Sequence, residues 1–206
     1  MKYIDLFRKA IFAGLVIGVG AVVKLSVADP VVGAALFSIG LFFICAYGAN
    51  LFTGKIGYIF HNKNYLDCLL IWVGNLAGTV IAMVAARIAK PALHDAAVTL
   101  MENKLSQSVA ATAILAVFCG ALMYLAVDNF RENSSYFGKV FGVVMCVMVF
   151  LLSGYEHSIA NMCYAVLYIS ASAQVGRCLV YLLLVSVCNG AGSVLIRLLT
   201  VKKENG

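Results

Sequence analysis

Apolar residues fill this 206-residue chain in runs about as long as a bilayer is thick, and polar residues gather between them. Six runs stand out, roughly 10–28, 31–49, 66–89, 107–127, 138–153 and 177–199. A membrane-crossing helix needs about 20 such residues. The pattern therefore predicts an all-α membrane protein of one domain, 1–206, with six transmembrane helices. The second and fifth runs are interrupted. Polar breaks fall at Asn50 to Lys55 and Gly154 to Asn161, and short apolar stubs follow near Ile56–Phe60 and Cys163–Ser170.

Composition agrees with a membrane class. Hydrophobic residues make up 63% and charged residues 12%, against about a half and a quarter in soluble domains. Mean hydropathy is +0.98. After the basic start MKYIDLFRKA the apolar segment runs to about Val27. That is too long for the core of a signal peptide, so the first run is read as a retained span. The net charge of +6 does not imply nucleic acid, because the basic residues cluster at loop ends. With the N-terminus inside, the inner segments hold Lys2, Arg8, Lys9, Lys55, Lys63, Arg131, Lys139, Arg197, Lys202 and Lys203. The outer ones hold Arg87, Lys90, Lys104 and Arg177. Ten against four predicts both termini in the cytoplasm of a multi-pass protein of the cell membrane. The seven cysteines sit mostly inside apolar runs without a CxxC pair. They read as small buried hydrophobes, and no metal or cofactor is expected.

The second break carries the polar chemistry. Gly154-Tyr155-Glu156-His157-Ser158-Ile159-Ala160-Asn161-Met162 places a carboxyl, an imidazole and a carboxamide inside an apolar stretch. A charge at a bilayer centre costs about 2.5–3.5 kcal/mol on insertion scales. A broken helix also frees backbone N–H groups, tolerated there only beside protein or a water-filled cavity. Such N–H groups favour anions, so Leu51–Lys55 and Ser158–Met162 are candidates for an anion-friendly constriction. His157 is the one imidazole inside the apolar runs, since His61 and His94 fall in loops. It can exchange hydrogen bonds or a proton there. Glu156 reads as a structural acceptor for freed N–H groups, or for Asn50, Thr53 or Asn189. Phe37 and Leu41 share a helix face. With Phe52 and Phe150 they are either ordinary packing or a hydrophobic ring that strips water from a passing ion.

The chain also reads as two inverted three-helix repeats, about 10–90 and 107–200. Asn50-Leu51-Phe52-Thr53-Gly54 is set against Asn161-Met162-Cys163-Tyr164-Ala165, Gly74-Asn75-Leu76-Ala77-Gly78 against Cys188-Asn189-Gly190-Ala191-Gly192, and Ala13-Gly14 against Cys119-Gly120. The offsets are 111, 114 and 106 residues. Gly14/Gly18 and Gly74/Gly78 have the spacing that lets helices approach closely in lipid.

GYEHSIANM at 154–162, NLFTG at 50–54 and GNLAG at 74–78 resemble the formate–nitrite transporter family, and the resemblance runs from AGLVIGVG at 13–20 to NGAGSV at 189–194. It implies an aquaporin-like six-helix protomer assembled as a homopentamer, each protomer with its own pore. It implies passage of small monovalent anions such as formate, nitrite or hydrosulfide, or of acetate or lactate, together with a proton. By the resemblance, His157 is the central pore histidine and Thr53 its partner, with Asn161 beside them. Lys104 attracts anions into the outer vestibule. Phe37, Leu41, Phe52 and Phe150 fall at constrictions, and Asn50, Asn75 and Asn189 support the frame. Three departures stand out. Gly120 replaces an asparagine that many members have, Met123 takes an outer constriction often held by Val, and Lys24 lies well inside the first span. Lys24 either snorkels outward or adds charge near the pore.

Two other classes compete. A water- or glycerol-type channel would carry paired NPA motifs, yet Pro30 and Pro91 are the only prolines. A membrane enzyme would show a metal-spaced cluster, a nucleophile–base pair or a phosphate loop, none of which is evident.

Overall fold

The computed structural model describes residues 1–200. Lys202 and Lys203, two of the basic residues assigned to the inner face, lie outside the described residues. The regular elements among the described residues are all helical. Chain order gives α1 (Lys2–Ser26), α2 (Pro30–Ala46), the four-residue α3 (Phe52–Lys55), a 3₁₀ turn (Ile56–Tyr58) and α4 (Ile59–Asn62). Then come α5 (Tyr65–Ala89), α6 (Leu93–Leu105), α7 (Val109–Glu132), α8 (Tyr136–Leu152), α9 (Ser158–Tyr168) and α10 (Ser172–Thr200). Four of these, α1, α5, α7 and α10, are long and apolar enough to cross a membrane, while α2, α8 and α9 are shorter apolar helices. This is an integral membrane protein.

Helix starts follow ordinary capping rules. Asp29 accepts from the N–H groups of Val31 and Val32, with Pro30 opening α2, and Ser108 accepts from Ala111 at the start of α7. Each such bond satisfies an otherwise orphaned N–H. Both breaks are made by one device. Gly48 (φ +59°) and Gly154 (φ +67°) end α2 and α8 in the left-handed region. Ala49 N–H then bonds Ile44 O at 2.8 Å, and Tyr155 N–H bonds Phe150 O at 2.9 Å. A left-handed glycine of this kind closes a helix and redirects the chain.

The restarts are also built alike. Asn75 on α5 accepts from Phe52 N–H (2.8 Å) and donates to Ala10 O (2.8 Å) and Asn50 O (2.9 Å). Asn189 on α10 accepts from Ser158 N–H (2.9 Å) and donates to Ala116 O (2.7 Å) and Glu156 O (2.8 Å). The glycines beside them fit the same scheme. A Cβ on Gly14 would stand 2.2 Å from Asn75 O, and one on Gly120 would stand 2.0 Å from Asn189 O. α1 therefore packs against α5 as closely as α7 packs against α10.

Four expectations are corrected here. The correspondence of Asn50 with Asn161 is five residues out: by hydrogen bonding Asn50 matches Glu156, and Leu51 matches His157. The asparagine letters misled because one is a loop residue and the other lies inside α9. The resemblance reads Gly120 as a polar group lost from the pore lining or its bracing; here the glycine is a packing requirement, since a side chain would collide with the backbone of α10. The first span begins at Lys2 rather than near residue 10, so Lys24 falls in the last turn of α1. Its charge suits the negative end of the helix. Finally, the segment expected as a loop before the fourth span contains α6, with His94 in its first turn. Leu93, Ala97 and Met101, four residues apart, are its buried face.

Candidate functional site

Two helices restart toward each other in the middle of the bundle, and the residues at their starts meet. Leu51 and His157 are the N-caps of α3 and α9. Thr53 Oγ1 lies 3.0 Å from His157 Nε2, both side chains being buried. The other ring nitrogen, Nδ1, accepts from Ala160 N–H at 3.1 Å. A neutral imidazole has one donor and one acceptor nitrogen. With Nδ1 so engaged, the ring proton sits on Nε2 and is donated to Thr53. The Thr53 hydroxyl keeps its own proton for a further acceptor.

Aromatic rings enclose this contact. Phe150 stacks on the His157 ring (5.4 Å between centroids, 28°), and Phe37 meets Phe150 edge-on at 5.9 Å. Leu41 and Phe37 are both buried on α2, Phe52 opens α3, and Met123 is buried on α7. All belong to one continuous apolar core.

A second polar cluster starts one residue away. Glu156 is fully buried, and its Oε2 accepts from three donors: Lys104 Nζ at 2.6 Å, Asn161 Nδ2 at 2.8 Å and Tyr181 Oη at 2.6 Å. Asn161 Nδ2 also reaches Tyr181 Oη at 3.0 Å. Oε1 meets no donor among the described residues. Lys104, in the last turn of α6, is only 12% exposed and forms an ion pair with Glu156. It was expected as a loop charge facing incoming anions, and Asn161 was expected beside His157. In the structure Lys104 lies on α6, and both side chains bond the Glu156 carboxylate. Burying these charges is tolerable because they are paired and hydrogen-bonded. The acceptor role expected of Glu156 is what the geometry has, but with different partners. Tyr181 was missed, as one phenol in an apolar run gives no sign of what it reaches.

Below α3 lies a cavity of about 190 Å³, lined by residues including Ile44, Leu51, Gly54, Lys55, Val127 and Arg131. Of its lining, Leu51 and Gly54 flank Phe52 and Thr53 along the chain.

The profile of formate/nitrite transporters matches residues 1–202. The chain belongs to the formate/nitrite transporter family. Within that family it is 28% identical to the nitrite transporter NirC of Escherichia coli over 73% of this chain and 63% of NirC. It is 27% identical to the formate channel BtFdhC of Bacillus thuringiensis over 64% and 56%, and 26% identical to the formate channel FocB of E. coli over 77% and 64%. The matched stretch thus spans less than two thirds of these relatives' lengths. The fold matches two solved structures. One is described as an FNT family ion channel (TM-score 0.80, 22% identity, 95% of this chain and 88% of that one). The other is described as a pentameric formate channel with formate bound (TM-score 0.78, 23% identity, 96% of each).

Proposed function

We propose that this chain forms a channel for small monovalent anions of weak acids, formate, nitrite or hydrosulfide, and that they pass as the neutral acid between Thr53 and His157. The observation that carries the reading is the 3.0 Å contact of these two side chains at facing helix starts. In this reading α2 with α3, and α8 with α9, each complete one crossing. The chain then has six spans in two halves of opposite orientation, with both termini cytoplasmic and five copies to an assembly. The duplicated hydrogen-bond sets around Asn75 and Asn189 support the two halves, and the basic residues of the loops support the orientation.

The physical difficulty is desolvation. Moving a bare ion into low dielectric costs of order 20 kcal/mol, and protonation removes most of that cost. Lys104 spends one of its three N–H donors on Glu156, leaving two for an arriving anion. The anion takes a proton from hydronium in the vestibule, leaving water behind, and crosses the ring of Phe37, Leu41, Phe52, Phe150 and Met123. At the centre Nε2–H of His157 and the Thr53 hydroxyl replace lost water contacts. Nδ1 is occupied by Ala160 N–H, so His157 lends a hydrogen bond rather than a proton.

The test is flux of formate, nitrite, hydrosulfide, acetate and lactate in proteoliposomes at several pH values, with water permeability followed by light scattering. Uptake should rise as external pH falls, because the protonated fraction rises. Flat uptake between pH 5 and 8 overturns acid passage, and water flux without anion flux overturns the channel class. His157→Phe should slow uptake about tenfold, as the loss of about 1.4 kcal/mol of hydrogen bonding predicts, and leave the pH profile in place. Full rate in that variant removes His157 from the route.

A further inference from the structure

We infer that Tyr181 is a positioning residue for Lys104: its hydroxyl shares the negative charge of Glu156, keeps the ammonium from being drawn wholly onto that carboxylate, and so sets how firmly an arriving anion is held. The inference rests on the channel reading above, in which Lys104 meets the anion. What motivates it is the way the carboxylate is loaded. Lys104, Asn161 and Tyr181 all reach the same oxygen, Oε2, at 2.6, 2.8 and 2.6 Å. Two of these donors are neutral and come from α9 and α10. Only the ammonium is charged, and it comes from α6 and keeps some exposure.

α10 grips Glu156 twice. Asn189 Nδ2 holds its backbone O at 2.8 Å, and Tyr181 Oη holds its side chain. The two residues are eight apart, about two turns, on a buried face that also carries Val185. The phenol uses both of its functions there, donating to Glu156 and accepting from Asn161 Nδ2 at 3.0 Å.

The other restart shows that the second grip is no part of the frame. There Asn75 holds Asn50 O and Phe52 N–H as Asn189 holds Glu156 O and Ser158 N–H. Asn50 stands in the place of Glu156, but its side chain donates to Leu6 O at 3.2 Å. Eight residues before Asn75 stands Asp67, which pairs with Lys2. A restart thus forms without a phenol, a buried carboxylate or an ammonium, and the trio on Glu156 serves something else. Oε1 meets no donor among the described residues, so a bond lost at Oε2 is not made up at Oε1. Without the hydroxyl, Lys104 and Asn161 alone compensate a buried charge. In low dielectric the carboxylate then draws harder on the ammonium, and less of that charge is left for an anion.

The experiment compares wild type, Tyr181→Phe, and protein carrying 3-fluorotyrosine in place of Tyr181, a side chain of nearly the same shape with a more acidic hydroxyl. Each full-length protein is measured for binding of radiolabelled formate by equilibrium dialysis and for formate uptake in proteoliposomes. Tyr181→Phe should raise the dissociation constant and the half-saturating concentration roughly threefold, the equivalent of part of one charge-assisted hydrogen bond, while maximal uptake stays within about twofold. Fluorotyrosine, the stronger donor, should lower both constants. In a Lys104→Gln background neither change should shift affinity, because the cation through which Tyr181 acts is gone. Equal affinity in all three proteins overturns the inference, as does the same loss with Lys104 replaced, which marks a merely structural role. If Tyr181→Phe fails to fold, the fluorotyrosine protein decides, and unchanged affinity in it overturns the inference. Binding that depends on Tyr181, without uptake, keeps the positioning role and removes the channel reading. Uptake whose half-saturation is indifferent to Tyr181 does the reverse.

Discussion

Glu156 shows how much one side chain can owe to residues far away in sequence. Its Oε2 gathers Lys104, Asn161 and Tyr181, which lie 52, 5 and 25 positions off along the chain. Removing one member of a buried pair costs about 3–5 kcal/mol, because the other charge is left uncompensated. Glu156→Gln should therefore destabilise the protein by roughly 3 kcal/mol, since Lys104 retains some exposure. Adding Lys104→Met should recover at least half of that loss in a double-mutant cycle read by thermal unfolding in detergent. A loss in the double variant equal to the sum of the two single losses would mean that the ion pair contributes nothing. Gly120 makes a sterically sharper case. Gly120→Ala drives a Cβ into Asn189 O and should cost about 1–3 kcal/mol or more. Gly33→Ala, whose Cβ meets Lys24 only at 3.6 Å, should be neutral or slightly stabilising. The sequence pointed to His157 and Thr53 through motif and break position. It could not reveal which donors reach Glu156, because that depends on how α6 and α10 fold back over α9.

At the scale of elements, the two restarts depend on carboxamides borrowed from neighbouring helices. Asn75→Ala and Asn189→Ala each delete one acceptor and two donor contacts of matching geometry. They should destabilise by similar amounts, roughly 2–4 kcal/mol from leaving buried groups unpaired, as followed by thermal melts. A marked inequality would break the equivalence of the two restarts. Helix breaks and long spans were readable from apolar runs interrupted by polar residues. Span ends were less so, because a bilayer-length run has no amphipathic edge to mark where it stops. α6 was missed because its stripe of Leu93, Ala97 and Met101 is short and sits among charges that otherwise read as a loop. The two similar helix restarts were visible in the glycine and asparagine motifs, but they were misaligned at the break, where letters were matched in place of hydrogen-bonding roles.

For the whole molecule, the proposed passage as a neutral acid would move no net charge. A potential of 100 mV biases one elementary charge by about 2.3 kcal/mol, close to fiftyfold in a driving ratio. Formate uptake into proteoliposomes clamped with potassium and valinomycin should stay within twofold between zero and 100 mV. A strongly voltage-dependent flux would mean that the bare anion crosses.

The paired asparagines have a dynamic consequence. Each fastens two long helices and the start of a half-helix to a single carboxamide, so neither half-helix has slack to swing. In the proposed channel, opening at the centre then falls to the rings of Phe150 and Phe37 and to the Thr53 rotamer. Side-chain rotations are far faster than the microsecond-to-millisecond motions of hinged elements. A passage governed this way flickers rather than latches: it works as a sieve, whose resting width is set by thermal agitation of a few side chains within an unyielding frame.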